Sequence, residues 1–407
     1  MQTNMNAAAA VTICSVNYLA KAHALADSYR QYHPQHDFFL VVVDRRIELP
    51  HIAGYINVIW VEELQIPDFE QKAFEFDVIE LNTNVKPRAL SRLLADYRKV
   101  VYLDPDICLY SNLDVVYAAL DDASVVATPH SLTPIHDGCK PDDVDFLRFG
   151  VFNLGFIGVS QSPEAFAFLA WWSDRCLEFG FYEPQSGLAV DQKWVNLAPA
   201  LCPHFKVLRA PGLNIAFWNL HERQLSLADG HWVVNGSEPV YFIHFSSFDP
   251  RIAGLVAGKQ TRFPVGSRPD FDNISAGYRE ALLRYMAIFS DTVPYSFARF
   301  DDGTYVTAAL RRVYSSLRQE RFATARPFQS RGPVFVFAAK HGLLERSRRP
   351  ASPPSFRDAT KFGFEQRVVL RLLKLLLRVI GPTRYFLFMR YLAHMSSIRN
   401  QRSAFDR

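Results

Sequence analysis

The chain has 407 residues, 49% of them hydrophobic and 14% aromatic, which excludes a mostly disordered protein and supplies enough apolar material for a sizeable core. The net charge of +4 conceals an asymmetry: residues 340–407 carry 15 Lys and Arg against 4 acidic residues, while residues 1–339 are net acidic. Five scattered cysteines without a C-x-x-C pair exclude a zinc knuckle or a disulfide framework and suit a reducing compartment.

Residues 1–10 lack a basic start and a long apolar core, and no uncharged apolar run reaches the length of a membrane span. A cytoplasmic location is therefore expected. In chain order, Val11–Val16 reads as a strand and Leu19–Gln31 as a helix. Phe38–Val43 is a near-continuous apolar strand, as when both faces of a sheet are covered, and Ile56–Val61 is a third. Phe69–Leu81 and Pro87–Arg98 read as helices, and Val100–Leu103 as a buried strand running into Asp104-Pro105-Asp106. Leu113–Leu120, Val125–Ala127, the strand Phe152–Val159 and the helix Pro163–Phe179 continue the alternation, which predicts an α/β, mostly parallel sheet flanked by helices. Strand signals at Trp232–Val234 and Val240–Phe245 close this part. The expected division is a catalytic domain over 1–250, a wrapping and helical extension over 251–340, and a basic segment over 341–407. Residues 254–294 are rich in turn formers, Thr304–Arg326 reads as a helix, and Arg346–Pro354 as a linker.

The chemistry starts at Asp104 and Asp106. Two carboxylates at i and i+2, where a strand leaves an open α/β sheet, share the crevice in which such sheets bind ligands. Hard cations take oxygen ligands there and bind substrate phosphates with them, so Mn²⁺ or Mg²⁺ is the expected cofactor. Asp143/Asp145 and Asp270/Asp272 repeat the spacing in loop-like settings; only Asp104 follows a buried strand. His244 leaves an apolar strand and is either a core residue or a third metal ligand, since Mn²⁺ accepts mixed nitrogen and oxygen ligands. Asp191 and Gln192 sit early in an expected helix, either as a helix N-terminal acid and its neighbour or as groups facing a sugar. Lys86 and Arg92 flank the helix before the metal strand, either solvated or facing phosphate.

In this order the residues resemble the family-8 glycosyltransferases of the GT-A fold, over roughly residues 11–250. Cys14-Ser15-Val16-Asn17-Tyr18 is similar to the first-strand segment that meets the nucleotide, and Arg92 followed by Asp104-Pro105-Asp106 to the basic helix residue and metal motif. Phe152-Asn153-Leu154-Gly155-Phe156 looks like the segment contacting the donor sugar, Asp191-Gln192 like the pair near the reacting carbon, Trp218-Asn219 like the Trp-Asn element, and His244 like the third metal ligand. The resemblance implies a UDP-sugar donor, Mn²⁺ or Mg²⁺, and retention of anomeric configuration, with Asp191 and Gln192 stabilising an oxocarbenium-like transition state. Ser15, Asn17, Tyr18, Lys86, Arg92, Asn153 and Gly155 would bind donor. The chain departs from the family after His244: Ser247 stands where Gly is usual and Pro250 where Lys is usual, leaving Arg251 as the substitute.

That departure keeps open an alternative, a non-catalytic, membrane-associated binding module with a decayed nucleotide-sugar site. A sugar nucleotidyltransferase is disfavoured, because the loop after the first strand has no Gly. Phe364–Ile380 sets Arg367, Arg371, Lys374 and Arg378 in one helical stripe beside a Leu- and Val-rich surface. Such a helix suits an anionic membrane surface, and with it a glycan or lipid-linked acceptor; no nucleic-acid motif accompanies the charge.

Overall fold

In the computed structural model, which describes residues 6–49, 51–289, 293–345 and 363–405, the apolar runs become inner strands of one sheet. β1 (Asn6–Cys14) lies between β2 (Asp37–Val42) and β4 (Tyr97–Leu103), parallel to both. β3 (Ile56–Trp60) extends the sheet beyond β2. On the other side β7 (Phe152–Ser160) runs antiparallel to β4 and to β6 (Val125–Pro129), and Phe205–Val207 pairs parallel with β6. The seven strands thus form a mixed, mostly parallel sheet in the order Phe205–Val207, β6, β7, β4, β1, β2, β3. Ala9, Val11, Leu40, Val42, Val100 and Val101 are fully buried, because a strand covered on both faces has no solvated side to alternate against. The same burial draws Ala8–Ala10, weak strand formers by themselves, into β1.

The helices flank this sheet as expected. α1 (Leu19–Tyr32) follows β1, and the run expected as one helix over Phe69–Leu81 breaks at Phe76-Asp77 into α2 (Phe69–Glu75) and α3 (Val78–Asn84). α4 (Lys86–Leu94) ends earlier than the sequence suggests, because β4 already begins at Tyr97. After the short strand β5 (Ile107–Leu109) come α5 (Asp114–Asp122), α6 (Asp143–Phe149) and α7 (Pro163–Phe179). In α7 the Ser162 side chain accepts the Ala165 N–H at 3.1 Å with Pro163 in the first turn, a start that satisfies one orphan donor and needs no N–H from the proline.

The segment expected to wrap the body without regular structure contains instead a 20-residue helix, Pro269–Ile288. Its buried residues Phe271, Ile274, Tyr278 and Leu282 recur at three- and four-residue steps. The stripe is narrow, and Pro269 and Gly277 mask it in sequence. Asp270 and Asp272 therefore lie in the first turn of a helix, paired with Arg268 and Arg279. Asp143 and Asp145 likewise open α6, where Asp142 and Asp145 cap each other's backbone. Both competing Asp-x-Asp pairs are thus helix N-terminal acids, a placement the helix dipole favours.

The chain forms two compact units, residues 1–72 with 78–296 and residues 73–77 with 297–407; the positions 250 and 340 fall inside them. In the second, the helix Ala308–Arg321 starts on Thr307, whose Oγ1 accepts the Leu310 N–H at 3.1 Å. The linker at 346–354 lies outside the described residues. Beyond it the helices Gly363–Ile380 and Pro382–Met395 follow one another, interrupted at Gly381.

Candidate active site

The chain runs from β1 outward to β2 and β3 and then returns on β1's other side as β4. The crevice beyond the C-terminal ends of β1 and β4 is therefore the switch point at which open α/β sheets hold ligands. Asp104 stands at that end of β4. Its N–H donates to the Gly155 carbonyl at 2.7 Å and its own carbonyl accepts the Ile107 N–H at 3.0 Å, so the acidic turn is closed on both sides.

His244 arrives by strand pairing. β5 pairs antiparallel with the strand Phe242–His244, which sets His244 opposite Ile107. The Phe245 N–H donates to the Asp106 carbonyl at 2.8 Å, and the His244 N–H to Ile215 O at 2.8 Å. His244 Nε2 then lies 3.0 Å from Asp106 Oδ1 and 3.5 Å from Asp104 Oδ2, and ligand atoms of all three residues fall within 4.8 Å of one another. Trp218 meets the imidazole edge-on, centroids 5.2 Å apart.

The hydrogen bonds fix which imidazole nitrogen faces the carboxylates. Asn153 Oδ1 accepts the Gly155 N–H at 3.1 Å and an Asn214 amide hydrogen at 3.1 Å, and lies 3.2 Å from His244 Nδ1. An oxygen so placed makes Nδ1 a donor, so Nε2 is the nitrogen turned to Asp104 and Asp106, donating to Asp106 while the ring is protonated and able to offer a cation its lone pair once that proton leaves. Asn153 Nδ2 in turn donates to His130 Nε2 at 3.3 Å, and His130 Nδ1 to the Val151 carbonyl at 3.2 Å. Asn219 braces the same layer by donating to the carbonyls of His130 and Asn214.

Two carboxylates and one oriented imidazole nitrogen suit Mn²⁺ or Mg²⁺, and Gly155 leaves the ring the space it occupies. Burial works against ionisation of Asp106, but the His244 imidazole and the Lys21 ammonium outweigh it and hold its carboxyl well below the usual range. Burial likewise opposes a charge on His244, and Asp106 and Asp104 overcome it, raising the imidazole above its ordinary value. The two carboxylates thus draw positive charge toward this spot.

A second group adjoins the first. Lys86, at the start of α4, is buried, with Nζ 2.5 Å from Asp191 Oδ2 and 2.7 Å from the Leu154 carbonyl. Its ammonium lies 4.2 Å from the centre of the Tyr102 ring, and the Tyr102 hydroxyl donates to Asp104 Oδ1 at 2.5 Å. One chain of contacts therefore joins Asp191 to the metal motif. Burial raises the Asp191 carboxyl against the opposing pull of Lys86. Gln192 starts a short 3-10 helix, Gln192–Leu197. Its side chain bridges α6 and β7, accepting the Leu154 N–H at 3.1 Å and donating to Phe149 O at 3.0 Å.

At the end of β1, Ser15 is buried and donates to Asn17 Oδ1 at 2.7 Å, while Asn17 and Tyr18 are exposed. Asp44, just beyond β2, accepts the Val16 N–H at 2.9 Å and holds this turn. Two expected bases stand apart from the cluster. Arg92 is exposed and pairs with Asp96 one turn on, at 2.7 Å. Six residues along α4 from Lys86 move it about 9 Å and roughly 240° around the axis. Arg251 is 71% exposed and donates twice to Asp249, at 2.8 Å each.

Sequence reasoning missed Lys21, Tyr102 and Asp44. Lys21, in the first turn of α1, reaches Asp106 Oδ2 at 3.4 Å. Strand alternation offered the signal for Tyr102, two residues before Asp104 and so on the same face. The helix leaving β1 offered one for Lys21, since its first turn opens on the crevice.

No family model matches the chain. It is similar to two uncharacterised proteins of Bacillus subtilis (strain 168). YfnF is 26% identical over 279 residues, 67% of this chain and 90% of YfnF. YfnD is 23% identical over 245 residues, 58% of this chain and 76% of YfnD. Solved structures it is similar to include the galactosyltransferase LgtC in complex with donor and acceptor sugar analogs, at 17% identity and a TM-score of 0.42, covering 70% of this chain and 97% of LgtC. Another is the glycosyltransferase GlyE of Streptococcus pneumoniae TIGR4, at 14% identity and a TM-score of 0.39, covering 73% and 67%. At such low identity and TM-score the functional reading rests on the site's own chemistry.

Proposed function

We propose that the protein is a metal-dependent glycosyltransferase that moves a hexose-type sugar from a nucleotide-diphosphate donor, a UDP-sugar with retention of configuration, to a glycan or lipid-linked acceptor. The observation that carries this reading is the convergence of Asp104, Asp106 and His244 Nε2 at the switch point of the sheet, with the lone pair aimed by Asn153. Bound there, Mn²⁺ or Mg²⁺ would offset charge on the departing diphosphate. Ser15, Asn17 and Tyr18 border the same crevice and suit the nucleoside; Asn153 and Gly155 hold the imidazole.

Asp191 and Gln192 occupy the sugar end of this reading. Asp191 places negative charge, steadied by Lys86, where a cationic sugar would form, and Gln192 fixes the backbone of Leu154 beside it. Arg92 and Arg251, exposed and paired with Asp96 and Asp249, would meet the donor only by giving up those partners. The test is a thermal-shift titration with UDP, GDP and their sugar conjugates, with and without Mn²⁺, on wild type and Asp106→Ala. Metal-dependent stabilisation by uridine nucleotides that disappears in Asp106→Ala is the expected result; indifference of the wild type to every nucleotide overturns the reading.

The two C-terminal helices support action at an anionic membrane surface. Arg371, Lys374 and Arg378 are exposed on Gly363–Ile380 beside exposed Leu370, Leu372, Leu375 and Val379, and Phe386, Leu387 and Tyr391 extend the apolar surface along Pro382–Met395. No helix among the described residues is long and apolar enough to cross a membrane; basic and apolar side chains side by side suit helices lying on one. Reversing Arg371, Lys374 and Arg378 to Glu is expected to abolish co-sedimentation with phosphatidylserine vesicles. Unchanged co-sedimentation removes this part of the proposal.

A further inference from the structure

We infer that Lys21 is the diphosphate-binding cation of this site, holding Asp106 in the metal-free protein and passing to the phosphates of the nucleotide when a divalent cation takes Asp106. The inference rests on the functional reading above and adds to it a residue and a coupling.

Of the bases expected to meet a diphosphate, Lys86 and Arg251 are already committed. Lys86 is sealed, its side chain 2% exposed, with Asp191, the Leu154 carbonyl and the Tyr102 ring around it. Arg251 points into solvent and is held twice by Asp249. Lys21 differs from both: its side chain is 22% exposed, so a ligand can reach it, and its ammonium already touches a metal-ligating carboxylate.

The contact is also easily given up. At 3.4 Å it is longer than the roughly 2.7–2.9 Å of a strong charge-assisted hydrogen bond. The ammonium also lies 4.9 Å from the centre of the exposed Tyr18 ring. A lysine ammonium on a flexible stem can swing between oxygen ligands without the fixed fork an arginine would demand. Charge balance gives the direction of the swing. A divalent cation cancels the two carboxylates of Asp104 and Asp106, which removes the attraction holding Lys21. A nucleoside diphosphate then brings new negative charge to the crevice between β1 and β4, where α1 presents Lys21. Metal and nucleotide should therefore strengthen each other's binding, equally in both directions.

The test is calorimetry on the full chain, wild type and Lys21→Met, with Mn²⁺ alone, then UDP and uridine each at saturating Mn²⁺. In Lys21→Met, Mn²⁺ alone should bind at least as tightly as in wild type, because a competitor for Asp106 is gone. UDP should bind about 10–100-fold more weakly, the loss of one charged hydrogen bond, and uridine as before. Lys21→Arg should recover most of the UDP affinity. Unchanged UDP binding in Lys21→Met, or weakened Mn²⁺ binding, overturns the assignment while leaving the enzyme reading intact. A wild type that binds no nucleotide overturns that reading, and Lys21's role with it.

Discussion

Gly155 faces the His244 imidazole so closely that a Cβ on it would stand 2.3 Å from Cε1 and 2.6 Å from Nδ1. Both contacts are below any distance a side chain tolerates, so the ring must give way and lose the edge-on contact with Trp218 and the Asn153 hold on Nδ1. Gly155→Ala should therefore displace the imidazole from the carboxylates rather than unfold the sheet. Titration with Mn²⁺ should show affinity down by about 10–100-fold, the range for a disturbed ligand orientation. Wild-type Mn²⁺ affinity in Gly155→Ala would mean that His244 is not a ligand.

Tyr102 donates to Asp104 Oδ1 and spreads its ring under the Lys86 ammonium. Tyr102→Phe keeps the ring and removes only the hydroxyl. We expect an unchanged melting temperature within a few degrees and Mn²⁺ binding weaker by about tenfold, as for other partners behind a metal ligand. Equal Mn²⁺ affinity in the two proteins would show that Asp104 is oriented without the phenol.

The Lys86–Asp191 pair is buried on both sides, at 2% and 3% exposure. Lys86→Met strands a carboxylate away from water and should cost about 3–5 kcal/mol of stability. Replacing both, Lys86→Met with Asp191→Leu, removes the stranded charge, so denaturant unfolding should recover most of that loss. A double variant as unstable as the single one would refute this account.

His33 gives the fold a pH dependence separate from the site. Its Nε2 accepts the Leu113 N–H at 2.8 Å, so the neutral ring is the one that fits. Burial first, then neighbouring His36, lower its titration to about 4, with Asp114 opposing. The unfolded ring titrates near 6.5, so between those values the unfolded chain binds the extra proton. Stability is complete above about pH 6.5 and is lost as pH falls toward 4. His33→Gln can still accept the Leu113 N–H, and should flatten this slope in urea unfolding measured from pH 7 to 4. An unchanged slope would place the linkage elsewhere.

The sequence by itself determined the layered α/β class and the position of Asp104 and Asp106 at the end of a buried strand. Both are local: unbroken apolar runs require strands covered on two faces, and two acids at i and i+2 after such a run fall at the strand's open end. It also placed His244 and Asp191-Gln192 on suitable elements, through the resemblance of ordered motifs. The long helix at Pro269–Ile288 was hidden because its buried stripe is narrow and interrupted by glycine. Only the tertiary structure decided who meets whom. The pairing of β5 with Phe242–His244 turns His244 toward Asp106, and the burial of α4's first turn closes Lys86 on Asp191. The same packing leaves Arg92 on the surface, although it shares that helix, and brings forward Lys21 from α1. Periodicity records which face of an element is buried; it does not record the distant element buried against it, because that choice belongs to the packing energy of the whole core.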